Sequence, residues 1–136
     1  MPQKRKRVLC AEAEEDAREV MSELLSRRGF EVVKAQSLIT ALLISRGQMF
    51  DVYVIDGQFR GNVGTALCRS IRVFDPLSPV VIFSSTAGES ARREALGAGA
   101  TRYVLKPDIA GLIETVSQVT SGVPLGVVEN DSGRRF

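Results

Sequence analysis

Apolar residues in this chain fall into short unbroken runs that alternate with longer stretches of helical spacing. The runs cover 7–11, 30–35, 51–55, 80–83 and 102–105, with little polar alternation, as strands covered on both faces require. Between the first two, residues 15–28 put Ala17, Val20, Met21, Leu24 and Leu25 on one helical face. Glu14, Glu15 and Asp16 at its start and Arg27 and Arg28 at its end suit the helix dipole, and Gly29 supplies the stop. Ser37 caps a second helix through Leu38, Ala41, Leu42 and Ile44 that ends at Gly47. Further helices are predicted over 64–72, over 89–96 with Gly97 and Gly99 as stops, and over 108–120. In the last, Asp108 is the cap and Leu112, Ile113, Val116 and Val119 face inward. Residues 57–62 read as a polar, glycine-rich loop, and Asp75-Pro76 with Ser78-Pro79 as a turn.

Strict alternation with short connections predicts an α/β fold, a parallel sheet with helices on both faces. Five strands in 136 residues suggest the doubly wound order 2-1-3-4-5, in which the first and third strands flank the topological switch point. The domain is expected to end near residue 121, and residues 122–136 read as a flexible tail or the start of a linker.

Bulk composition narrows the function classes. The chain is 44% hydrophobic and 25% charged, with a net charge of +2. That charge is too small to argue for nucleic acid or an anionic membrane, and the block Lys4-Arg5-Lys6-Arg7 reads as a solvated lead into the first strand. Cys10 and Cys68 sit in apolar runs and read as buried, reduced side chains. There is no histidine and no second cysteine at ligand spacing, so a thiolate or imidazole metal site is not expected. No apolar stretch is long enough to span a bilayer and no secretory signal is seen, so the expected location is the cytoplasm.

The candidate chemistry lies at the strand ends. The third run ends in Asp56, the fourth in Ser84 and the fifth in Lys106. Neighbouring parallel strands would bring a carboxylate, a hydroxyl and an ammonium to the carboxyl edge of the sheet, where such folds bind ligands. Taken singly, Asp56 with Lys106 suits a structural ion pair and Ser84 a serine that satisfies local backbone; their convergence makes them a site candidate.

Over about residues 6 to 121, the chain resembles the CheY-like receiver domain of response regulators in two-component signalling. The resemblance rests on Asp56 at the end of the third strand, Gly64 after the following loop, Ser84, Tyr103, the Lys106-Pro107 pair, Gly29-Phe30 and Gly99-Ala100. It implies a flavodoxin-like fold and an Asp56 that accepts a phosphoryl group from a histidine kinase or phosphotransfer protein. Lys106 and Ser84 would contact the phosphoryl oxygens, and Ser84 with Tyr103 would form a switch. A downstream protein would read the face of the fourth helix and fifth strand. Mg²⁺ would be held by the acidic pocket, with the Gln58 backbone carbonyl as one ligand.

The chain departs from that pattern at the metal. The family ends its first strand with two acids; here they are Glu12 and Ala13. In the register set by Gly29-Phe30, Ala13 takes the place of the direct ligand and Glu12 that of its neighbour, whereas a slipped register makes Glu12 the direct ligand. A carboxylate about 4 Å from a unit charge contributes roughly 4 kcal/mol at an effective dielectric of about 20, so Mg²⁺ binding is expected to be weak or absent unless Glu12 reaches inward. Glu14 and Glu15 are expected to serve the helix terminus instead. Gln58, Phe59 and Arg60 also depart from the family's loop, and Arg60 adds a cation there. The alternative to a phosphoacceptor is therefore a phosphorylation-independent pseudo-receiver, a protein-protein interaction module. A nucleotide or flavin site is disfavoured because no glycine-rich phosphate loop follows any strand.

Overall fold

A computed structural model describes residues 4–58 and 64–121. Five parallel strands form one sheet in the order β2-β1-β3-β4-β5. They are β1 (Arg7–Ala11), β2 (Glu31–Ala35), β3 (Val52–Asp56), β4 (Val80–Ser84) and β5 (Arg102–Leu105). The helices are α1 (Glu15–Arg27), α2 (Leu38–Gly47), α3 (Gly64–Phe74), α4 (Glu89–Gly97) and α5 (Ile109–Val119). This is the predicted flavodoxin-like, doubly wound fold, with β1 and β3 adjacent at the switch point.

Successive strand residues point to opposite faces, so the sheet feeds two cores. On one face Val8, Cys10, Val52, Val54, Val81, Phe83 and Val104 pack with Met21 and Leu25 of α1 and with Leu112, Ile113, Val116 and Val119 of α5. On the other, Leu9, Tyr53, Ile55, Ile82 and Tyr103 pack with Ala41, Leu67, Ile71 and Ala95 from α2, α3 and α4. Residues 52–56 and 80–84 are buried along their whole length, the reason their sequence shows no alternation.

Local signals act as expected at most helix ends. Glu14 caps α1 by accepting from the Ala17 amide at 2.8 Å, Ser37 caps α2 through the Thr40 amide, and Asp108 caps α5 through the Gly111 amide. Gly29, two residues beyond α1, has a φ of +94°, which glycine adopts without strain. One face differs from expectation. Val20 is half exposed and Ser22 is buried in its stead, because Met21 and Leu25 centre the inward stripe of α1 and Val20 falls at its rim. The expected tail at 122–136, along with Phe59 and Arg60, lies outside the described residues. Among the described residues, no helix is long and apolar enough to cross a membrane.

Candidate functional site

The parallel register carries the site residues to one edge. Asp56 pairs with Phe83 across β3 and β4, and Ser84 pairs with Leu105 across β4 and β5, so Asp56, Ser84 and Lys106 leave the sheet at the same level. Backbone bonds extend the ladder past the strand ends: Gly57 N–H donates to the Phe83 carbonyl at 3.0 Å and Lys106 N–H to the Ser84 carbonyl at 2.8 Å. The Lys106-Pro107 peptide is cis. Two glycines permit the close approach. A Cβ on Gly57 would lie 2.7 Å from the Ser84 Cβ, and one on Gly64 would lie 2.5 Å from the Asp56 carbonyl oxygen.

Asp56 is 5% exposed. Its Oδ1 accepts from Lys106 Nζ at 3.1 Å and from the Gln58 amide at 2.9 Å. Glu12 points into the same pocket at 1% exposure, the inward reach that its sequence position left open. Its Oε2 accepts from the Glu14 amide at 3.1 Å, and its Oε1 lies 3.4 Å from Lys106 Nζ. One ammonium thus bridges two buried carboxylates. It also stands 5.7 Å from the centroid of the Phe83 ring. Ala13 is exposed and adds no donor side chain, while Arg18 of α1 donates to the Glu12 carbonyl at 2.9 Å. Glu14 is occupied as a helix cap, as expected, and stays out of the pocket.

Burial and charge oppose one another here. Burial is the main cause that lifts the Glu12 pKa above its usual value; the Glu14 amide and Lys106 pull it down, and the Asp56 carboxylate pushes it up. For Lys106, burial favours the neutral amine, but the hydrogen bond to Asp56 and the charges of Glu12 and Asp56 outweigh it, and the pKa rises. Beneath the pocket, burial and then the Glu12 charge push the Cys10 thiol up to about 12, so it stays protonated and unreactive. Cys68 is likewise buried, with its pKa raised by burial, and both thiols are free.

The pocket can be tested for a metal from its own atoms. Glu12 Oε1 is buried and lacks a hydrogen-bond partner among the described residues. Carboxylate and carbonyl oxygens are the donors that a hard divalent cation takes. The residues therefore fit Mg²⁺ in kind. They fall short in number, since among the described residues no group of three acidic or thiol side chains converges.

Ser84 is 3% exposed, and its Oγ accepts from the Thr86 amide at 3.1 Å. The Tyr103 hydroxyl donates to the Thr86 carbonyl. Ser84, Thr86, Tyr103 and Gly57 line a cavity of about 80 Å³. Space for a side-chain rearrangement thus adjoins both residues of the expected switch. The sequence reading missed the Gln58 side chain. Its Oε1 accepts from the Ser85 amide at 3.1 Å and the Ser85 hydroxyl at 2.8 Å, and its Nε2 donates to Thr86 Oγ1 at 3.3 Å. The signal was available in the spacing. Gln58 stands two residues after Asp56 and Thr86 two after Ser84, each just past the end of one of two adjacent parallel strands.

The chain is similar to known proteins over most of its length. Transcriptional regulatory protein ZraR of Salmonella typhimurium is 31% identical over 100 residues, 73% of this chain but 23% of that protein. Sensory transduction protein RegX3 of Mycolicibacterium smegmatis is 27% identical over 126 residues, 93% of this chain and 54% of that protein. The chain thus spans a quarter to about half the length of these two relatives. The crystal structure of a LuxR-family two-component response regulator from an Aurantimonas species superposes with a TM-score of 0.80 at 29% identity, covering 88% of this chain and 87% of that one. The sequence model of the response regulator receiver domain matches residues 8–117, and on this ground the chain belongs to the response regulator receiver family of two-component signalling.

Proposed function

We propose that this receiver, spanning residues 1–121, accepts a phosphoryl group on Asp56 from the phosphohistidine of a histidine kinase or phosphotransfer protein. An Asp56 carboxylate oxygen attacks phosphorus, the P–N bond breaks, and the electron pair leaves with the imidazole, which takes up a proton. The observation that carries the reading is the buried Asp56 carboxylate held 3.1 Å from the Lys106 ammonium at the carboxyl edge of the sheet. Phosphoryl transfer needs little covalent help and much charge stabilisation. Lys106 is placed to follow charge from the carboxylate to the phosphoryl oxygens, and Ser84 Oγ to donate to one of them.

Glu12, Asp56 and the Gln58 backbone carbonyl would hold Mg²⁺, with Ala13 contributing nothing. When bound, the ion neutralises phosphoryl charge. Recruitment of Ser84 toward the phosphoryl group disturbs Thr86 and the Tyr103 hydroxyl bonded to it, and a downstream protein reads the face of α4 and β5.

Intact-mass spectrometry after incubation with acetyl phosphate and Mg²⁺ tests the acceptor. The expected result is a gain of one phosphoryl group in the parent and none in Asp56→Asn. No gain in the parent at high Mg²⁺ would overturn the phosphoacceptor reading. It would favour a phosphorylation-independent pseudo-receiver that docks proteins, a reading supported by Ala13 and by a Lys106 ammonium already bridging the two acids.

A further inference from the structure

Gln58 touches both halves of the site. Its backbone amide donates to Asp56 Oδ1 at 2.9 Å, while its side chain crosses to the loop after β4. There it makes three hydrogen bonds, two from Ser85 to Oε1 and one from Nε2 to Thr86 Oγ1. Thr86 is thereby held at three atoms: Oγ1 by Gln58, the amide by Ser84 Oγ and the carbonyl by Tyr103.

We propose that the Gln58 side chain is a positioning residue, a latch that holds the Ser84–Thr86 loop in its resting arrangement and so sets how readily Ser84 and Tyr103 switch. The physical basis is geometric. Ser84 can move toward a group on Asp56 only if its contact with the Thr86 amide is given up, and Thr86 cannot follow or turn away while Gln58 grips it and Ser85. The two loops are in direct contact, since even a methyl group on Gly57 would meet Ser84. Loss of the latch frees the loop without touching Asp56, Ser84, Lys106 or the Gln58 backbone. The proposal rests on the receiver reading for its meaning, yet its test uses no phosphoryl donor. A failure of the latch is thus distinct from a failure of Asp56 to accept.

The chain has two tyrosines, Tyr53 and Tyr103, so fluorotyrosine labelling of the full chain yields two ¹⁹F resonances. Tyr53 is a remote control, with its hydroxyl on Asp75 at 2.8 Å. Gln58→Met, close in shape and without the amide, is expected to shift or exchange-broaden the Tyr103 resonance and leave that of Tyr53 in place. The Thr86 amide, which Gln58 does not itself contact, is expected to exchange with deuterium about tenfold faster or more, since the side-chain bonds that hold its loop closed are lost. An unmoved Tyr103 resonance with unchanged Thr86 exchange overturns the proposal. Should Gln58→Met disturb both tyrosines, Thr86→Val decides. It removes the Oγ1 acceptor alone, and it must move Tyr103 for the latch to stand.

Discussion

Lys106 stands between two buried carboxylates, with Nζ 3.1 Å from Asp56 and 3.4 Å from Glu12. Removing one partner of a buried ion pair leaves its charge uncompensated, at a cost of about 3 kcal/mol or more. Lys106→Met is therefore expected to lower the free energy of unfolding by roughly 3 kcal/mol, and adding Glu12→Gln to recover part of that loss, both read from urea denaturation. The pH dependence follows from Glu12. Its pKa is raised in the folded state above the usual 4.5, so the fold binds that proton more tightly than the unfolded chain does. The associated stability is fully present below about pH 4.5 and is lost as pH rises through the folded value. Relative to Glu12→Gln, the parent should therefore lose stability as pH is raised from about 4.5 upward, and urea midpoints across that window check the sign. Lys106, also raised, contributes stability that is lost only above its usual 10.5.

At the scale of elements, the site depends on how closely α3 and the loop after β3 approach the strand ends. Gly64, the first residue of α3, faces the Asp56 carbonyl so closely that a Cβ would lie 2.5 Å away, against backbone that cannot rotate aside. Gly64→Ala should push α3 from β3 and destabilise the chain by about 1–3 kcal/mol, the range for overpacking, with a matching fall in the thermal midpoint. An alanine at Gly47, where nothing lies within 4 Å of the added Cβ, is the control and should leave the midpoint within a few degrees. If both variants behave alike, close approach is not the reason for the glycine at position 64.

For the whole molecule, an acid at position 13 is expected to set how strongly a divalent cation couples to folding, and this chain has Ala13 there. A ligand that binds only the folded state stabilises it by an amount set by its concentration relative to its dissociation constant. With two carboxylates in the pocket, one ammonium already between them and no third acid converging among the described residues, the parent should gain little thermal stability from Mg²⁺. Ala13→Asp restores a carboxylate beside Glu12. It should show a larger Mg²⁺-dependent rise in melting temperature than the parent, measured by calorimetry with and without the ion. An equal response in the two proteins would show that position 13 does not reach the ion.

The fold was legible in the sequence because its signals are local and repeat. Buried parallel strands are continuous apolar runs, the helices between them carry inward stripes such as Leu112, Ile113, Val116 and Val119, and caps stand at Ser37 and Asp108. Once the strands are known to be parallel and in order, the meeting of Asp56, Ser84 and Lys106 follows from the chain itself. Val20 and Ser22 were less legible, since a stripe has no sharp rim and the neighbouring β2 and α5 determine which residue at its edge is covered. Reach was not legible at all. Side-chain composition names Glu12 and Gln58 as polar and does not say which way they extend. Only the packed loops direct Glu12 inward to Lys106 and carry the Gln58 amide across to Ser85 and Thr86. The sequence alone determined which groups stand at the sheet edge, because strand order and register are properties of pattern. The tertiary structure decided which of them touch, because contact depends on distances of a few tenths of an ångström between segments far apart in the chain.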